Sequence, residues 1–320
     1  IMAPSFSGVW KLQTKYQYSS AFPIDPNFLP RALIAGLSVA SNVIDFVTID
    51  SAGDAKDFGD LSVARAEMGA SSSSTRAVFG GGKSLSVAKN DTMDFVTIAT
   101  SGNATDFGNL TDGRNTPAAC GNETRGVWGG GEGSTNPTNI IDYITIASTG
   151  NATDFGDLSV ARKTYGQAAA SPTRGVWLGG QGSNSLTVYN TIDYITIGST
   201  GNATDFGDLS ATSRLGSACS SNTRAVHHMG IGGGSTVNTL EYITIGSTGN
   251  STDFGDLYAA FATGSTSNST KGIFFGGNGG SDNIHQITIA STGNSTDFGD
   301  CTSSSVEDAV GTSGEHGGLS

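Results

Sequence analysis

The chain has 320 residues and a formal net charge of −12, and only 14% of its residues are charged, against roughly 25% in an average domain. That acidic balance argues against a nucleic-acid partner, which needs a basic stripe, and reads as a solubility feature. No run approaches the roughly 18 apolar residues of a membrane span, and no charged stretch followed by an apolar one marks a secretory signal.

Residues 1–30 come first and carry no repeat. They hold Trp10, Leu12, Tyr16 and Tyr18 ahead of Pro23, Pro26 and Pro30. An apolar segment outside a repeat array is expected to dock on another subunit, with those four side chains as anchors. The competing expectation is a strap folded over its own domain.

From residue 31 onward the chain repeats itself. The segment Asp142–Asp157 returns almost verbatim at 193–208 and, with small edits, at 45–60, 94–109, 241–256 and 285–300. The marker residues Phe58, Phe107, Phe155, Phe206, Phe254 and Phe298 are spaced 49, 48, 51, 48 and 44 apart. A period of this length with strand-like content is the signature of a β-propeller, one four-stranded blade per repeat. The 47 glycines and abundant serines could suggest disorder, but every unit carries a β-branched and aromatic run such as Tyr143-Ile-Thr-Ile146.

The unit Tyr165–Asp208 gives the blade in full. Gly166–Ser171 is a small first strand, suited to the crowded position near the axis. Arg174–Gly180 is an apolar second strand ending in a Gly pair. Gln181–Asn190 is a polar loop, and Ile192–Ile197 is the strongest strand. Ser199-Thr-Gly-Asn202 is a tight turn, and Thr204–Leu209 an outer strand. The unit opening at Arg31-Ala-Leu-Ile-Ala-Gly-Leu37 lacks a first strand of its own. Val306–Ser313 falls where other units have theirs. The expected fold is therefore all-β: a six-bladed propeller over 31–313, with residues near 308–313 pairing with 31–37 to complete blade one and leave no edge. Residues 314–320 form a tail.

The candidate chemistry is thin. Cys120 and Cys219 hold the same place in non-adjacent units, too far apart for a disulfide, and Cys301 replaces the repeat's Leu, so three free thiols are expected. The Asp-Phe-Gly-Asp acids lie on separate outer strands and are expected to bond turn amides. Arg31, Arg76, Arg125, Arg174 and Arg224, with Lys271, open the second strands; pairing with acids such as Asp45 or Asp94 is the leading expectation, a cationic ring the alternative. His227 and His228 are adjacent and face opposite sides of a strand, so they do not chelate together, and neither a metal nor a cofactor is expected. Sequons at Asn103, Asn151, Asn202, Asn250 and Asn294 recur because the turn recurs. The function-like variation lies in the loops between second and third strands, which share a face with the links between blades. Lys83, Glu132, Asn136, Gln181, Asn184, Tyr189, Asn278 and Asp282 are the candidate contacts there. A constant scaffold with one variable loop face suits a binding module, and these short polar loops suit a glycan or protein surface better than a deep catalytic pocket.

The layout resembles the kelch family, in which a Gly pair ends the second strand, aromatics mark the third and fourth, and an Arg follows. Here those elements are Gly179-Gly180, Tyr194, Phe206 and Arg214, with Arg65, Arg114 and Arg162 in other units. Phe replaces the family's usual Trp, and Phe261 stands where unit five should have Arg. Ser7-Gly-Val-Trp-Lys-Leu-Gln13 is similar to segments in structural proteins of tailed bacteriophages. The Asp-Tyr-Ile-Thr-Ile repeat is similar to repeats in virion proteins of marine phages. The resemblance implies a non-enzymatic tail or appendage component on the particle surface, contacting other virion proteins or a host-surface glycan. The alternatives are a carbohydrate-active propeller enzyme, which should gather acids, Tyr or His at one end of the axis, and a cellular kelch scaffold.

Overall fold

A computed structural model describes residues 30–38, 41–258, 264–277, 281–304, 306 and 308–319. Trp10, Leu12, Tyr16, Tyr18, Phe261 and Asn278 lie outside them. The described residues form an all-β, propeller-like fold without helix. It comprises six four-stranded antiparallel sheets and one small three-stranded sheet. In the fourth sheet the strands are Ala168–Ala170, Arg174–Gln181, Val188–Thr196 and Thr204–Asp208. Gly180 pairs with Tyr189 and Gln181 with Val188, so part of the expected loop is ladder. Val310–Ser313 pairs antiparallel with Ala32–Ala35 and lies beside the first sheet's other three strands.

Each apolar core is shared between neighbours. Phe58 and Ile44 of the first sheet pack with Phe79 and Val96 of the second. The same pattern runs from sheet to sheet, and Phe275 and Phe298 of the sixth share a cluster with Ile34 and Val47 of the first. Strands buried on both faces follow from that arrangement. The inner strands are short and small, Ala168–Ala170 being the extreme case, and each lies against the next around a common axis.

The repeated motif holds the outer rim together. In each four-stranded sheet a bulge between third and outer strands skips the motif phenylalanine. The bulge turns that ring inward, where in sheets one to five it meets a third-strand aromatic edge-on, as Tyr143 meets Phe155 with centroids 5.8 Å apart; Gln286 takes the aromatic's place in the sixth. The following glycine is obligatory. Gly156 has φ +146°, and a Cβ there would lie 2.5 Å from the Gly201 carbonyl of the next unit's turn. That turn docks through Gly201 N–H to Phe155 O at 2.8 Å, and Asn202 Oδ1 accepts the Asp157 amide at 3.1 Å. Asn103, Asn151, Asn250 and Asn294 do the same elsewhere, with Asp54 in the sixth case. The amides are thus satisfied by the turn asparagine of the neighbouring unit. The motif carboxylates themselves take no protein hydrogen bond among the described residues, so the expectation for them is corrected.

The second-strand arginines also differ from expectation. Each lies over a third-strand ring, at 4.3–4.7 Å from its centroid. Each donates to a backbone carbonyl of the neighbouring sheet, as Arg125 does to Ile197 O at 2.9 Å. They are staples between sheets, paired neither with Asp45 nor with Asp94. Cys120, Cys219 and Cys301 are free and buried. Burial pushes the Cys120 and Cys301 thiols up to about 12.

Candidate functional site at the axial mouth

The axis has two different ends. At the end carrying the turns between first and second strands, the C-terminal tail lies across the opening. Gly317 N–H donates to Ser220 O at 3.0 Å. His316 Nε2 donates to Ser72 O at 2.9 Å, while its Nδ1 accepts the Gly318 amide at 3.1 Å. A Cβ on Gly318 would stand 1.9 Å from Gly121 O, so the glycine allows the close approach. Around most of the lumen, serine hydroxyls tie one inner strand to the next, as Ser72 to Ser313 O, Ser267 to Ser220 O and Ser220 to Ala170 O. Gly121 and Ala170 lack a hydroxyl, and the tail glycines seat there.

The other end carries the links between sheets and the loops between second and third strands. Isolated bridges join the two, Ala66 to Lys83, Asn115 to Glu132 and Lys163 to Gln181. Just before the inner strands, Glu67, Thr116, Tyr165, Leu215 and Asp308 all have φ between +50 and +61°. That conformation is strained for residues with a Cβ, and for β-branched Thr116 above all. It turns their backbone groups toward their neighbours. Glu67 N–H donates to Asp308 O, Thr116 N–H to Glu67 O, and Tyr165 N–H to Thr116 O, at 3.2, 2.9 and 2.9 Å. This collar directs five different side chains onto one shallow opening, which Met68 and Ala309 also line.

Charged groups surround it. Lys83 bonds Glu67 and lies 4.0 Å from Asp308. Glu132 pairs with Lys163 and lies 3.9 Å from Lys89. Burial raises the Glu67 carboxyl above its ordinary value; the Lys83 hydrogen bond opposes this and the Asp308 charge adds to it. Burial likewise raises the Tyr165 hydroxyl. That hydroxyl lies 3.2 Å from Gln181 Oε1, which also accepts from Arg214 Nη1 at 3.1 Å.

Of the residues expected at this face, Lys83, Glu132 and Gln181 come together around the mouth. Asn184 spends its carbonyl on its own loop, accepting the Leu186 and Thr187 amides. Asn136 is exposed, and Tyr189 and Asp282 are half-buried on their own units. Glu67, Thr116, Tyr165, Leu215 and Asp308 were not expected. Their signal is positional: each stands two residues before its inner strand, or three before in the case of Tyr165.

The fifth sheet departs most from the repeat. Arg65, Arg114 and Arg162 are fully buried and pair with Asp94, Asp142 and Asp193 at 3.0, 2.8 and 2.8 Å. The equivalent position before the fifth sheet is Ser213, also buried, and Arg214 stands one place further on. The vacated space is filled by Gln167 and His227, whose Nε2 atoms lie 3.1 Å apart. Burial, with help from His228, lowers the His227 ring to about 3. Among the described residues no group of three or more His, Cys, Asp or Glu is arranged to hold a metal ion. No protein-family model matches the chain, and no curated protein sequence matches it.

Proposed function

We propose that the chain is a closed six-bladed propeller acting as a non-catalytic binding protein of a bacteriophage virion, and that the link-and-loop face is its contact surface. Support for ring closure comes from the cyclic series of shared cores and from the pairing of Val310–Ser313 with Ala32–Ala35. The observation that carries the binding reading is the inequality of the two axial ends. One is sealed by the chain's own tail. The other collects the side chains that differ from unit to unit, on a scaffold that otherwise barely changes. A rigid scaffold with one variable face is how recognition surfaces are built. The phage setting rests on the sequence resemblance and is tested by stoichiometric co-purification with a virus particle. Binding is tested by presenting surface polysaccharides and virion proteins to the wild-type chain and to a Glu67→Ala/Tyr165→Ala variant. Binding that survives the double substitution would move the contact surface elsewhere.

A specific observation favours a second reading, a carbohydrate-active enzyme. Two carboxylates, Glu67 and Asp308, bracket Lys83 beside Tyr165, and the Glu67 carboxyl is raised, as a general acid requires. Polysaccharide cleavage that Glu67→Gln abolishes would establish this reading over the first.

A further inference from the structure

We propose that Arg214 and its partners at the axial mouth recognise the carboxylate of an acidic sugar; this deepens the binding reading above and rests on it. The argument begins with the arginines. Among the described residues, eight others are each committed: three to buried aspartates and five to aromatic rings and carbonyls of the next sheet. Among the same residues Arg214 neither pairs with a carboxylate nor stacks on a ring. Its guanidinium donates instead to the neutral Gln181 Oε1. In a chain of charge −12, a half-buried guanidinium without an acid partner is conspicuous.

Its position follows from the repeat. The place after the buried link arginine is Ala66, Asn115 or Lys163 in other units, and there the chain bridges to the loop face. Shifting the arginine by one residue, with Ser213 left behind, moves the guanidinium from the blade core to that face. Lys163, at the equivalent place, is neutralised by Glu132, whereas Arg214 is not. Gln181 holds one end of the guanidinium and leaves its remaining N–H groups available. A guanidinium so held can grip a carboxylate through two parallel hydrogen bonds.

The surroundings select a sugar among carboxylates. Gln181 links Arg214 to Tyr165 at the mouth, whose lining offers partners for sugar hydroxyls in Glu67, Thr116 and Asp308 and apolar surface in Tyr165, Leu215 and Met68, with Lys83 bonded to Glu67. The opening is shallow, so it meets the exposed end of a glycan rather than enclosing a ligand.

The test is calorimetric titration of the full chain with oligogalacturonate and sialyllactose, against the carboxyl-reduced oligomer and lactose. The expected result is binding of at least one acidic ligand and loss of roughly tenfold or more in affinity on carboxyl reduction. Arg214→Ala should lose as much, Arg214→Lys should recover only part of it, and neither should change the melting temperature. Equal binding of acidic and reduced ligands, or wild-type affinity in Arg214→Ala, overturns the assignment while leaving the binding reading intact. Failure of every sugar, acidic or neutral, overturns the assignment and leaves the binding reading to a protein partner alone.

Discussion

The links entering sheets two, three and four place an arginine in the core; the link entering sheet five places a serine there. In the first three the guanidinium and its aspartate are both fully buried. In the fifth, Glu241 replaces the aspartate and is held by the Ser210 amide and hydroxyl and the Ser251 hydroxyl. The first sheet resembles the fifth: Asp45 is held by Thr302 without an arginine. So the same buried acid is satisfied either by a cation or by hydroxyls, and the repeat tolerates both. What changes is where the arginine ends up. A position that is structural in three units becomes a surface group in one. Departures from the repeat are therefore the places to look for function.

The largest effect should come from breaking one of the buried pairs. Arg114→Ala leaves Asp142 charged, buried and held only by the Thr111 amide and hydroxyl. A loss of about 3–5 kcal/mol is expected, because the orphaned charge keeps its desolvation cost. Replacing both partners, as in Arg114→Met/Asp142→Leu, should recover most of it. Urea unfolding of the two variants checks this. A double variant as unstable as the single one would mean that the pair also fixes the fold in ways hydrophobic packing does not replace.

The next test runs the substitution in reverse. Ser213→Arg restores the repeat at sheet five but meets Gln167 and His227 in the space the arginine would need. Overpacking should cost about 1–3 kcal/mol. A stable variant would mean that the cavity is not filled as described.

The fold was largely legible in the sequence, because period, strand patterning and turn chemistry all depend on local residue choice. The inner strand of small residues and the pairing partner of the last strand follow from that pattern, whereas the bulge that turns the motif phenylalanine inward does not. The site was less so. Arg65, Arg114 and Arg162 stand five residues after Asp60, Asn109 and Asp157, whereas Arg214 stands six after Asp208. That one-residue offset is visible only by counting, and its consequence only in space. The collar was hidden for another reason. Glu67, Thr116, Tyr165, Leu215 and Asp308 share no side-chain type, only a backbone conformation. Asn202 is a turn residue whose second role is invisible locally, because its bond crosses to the preceding unit, 45 residues away.

Acid should separate the fifth sheet from the first. His227 is buried and its folded value is depressed to about 3, so it stays neutral while the unfolded chain takes up a proton near its ordinary value of about 6.5. Its contribution to stability is therefore present above that value and lost as pH falls toward 3, at up to about 1.4 kcal/mol per pH unit. Asp45 runs the other way. Burial raises its folded value, so its charged form opposes folding at neutral pH and the opposition is relieved as pH falls. Urea unfolding between about pH 7 and 5 should show a shallower pH slope for His227→Gln than for wild type. Equal slopes would place the proton uptake on another group, His285 and His316 being the nearest in kind.

The smallest effect is expected where the comparison is most direct. Glu241 is 2% exposed and pairs with no cation among the described residues, so Glu241→Gln strands no partner charge. The amide oxygen still accepts from one serine, and the other serine can rotate its hydroxyl to accept from the new N–H group. A cost of about 1 kcal/mol or less follows, as for one altered hydrogen bond. Asp142→Asn removes the same charge from the third sheet but leaves Arg114 buried without its counter-ion, and about 3 kcal/mol or more should be lost. Urea midpoints of the two variants, measured side by side, decide whether the distinction between the sheets is energetic as well as geometric. If Glu241→Gln costs as much as Asp142→Asn, the hydroxyl cage in sheet five depends on the negative charge itself, and the two solutions are not equivalent.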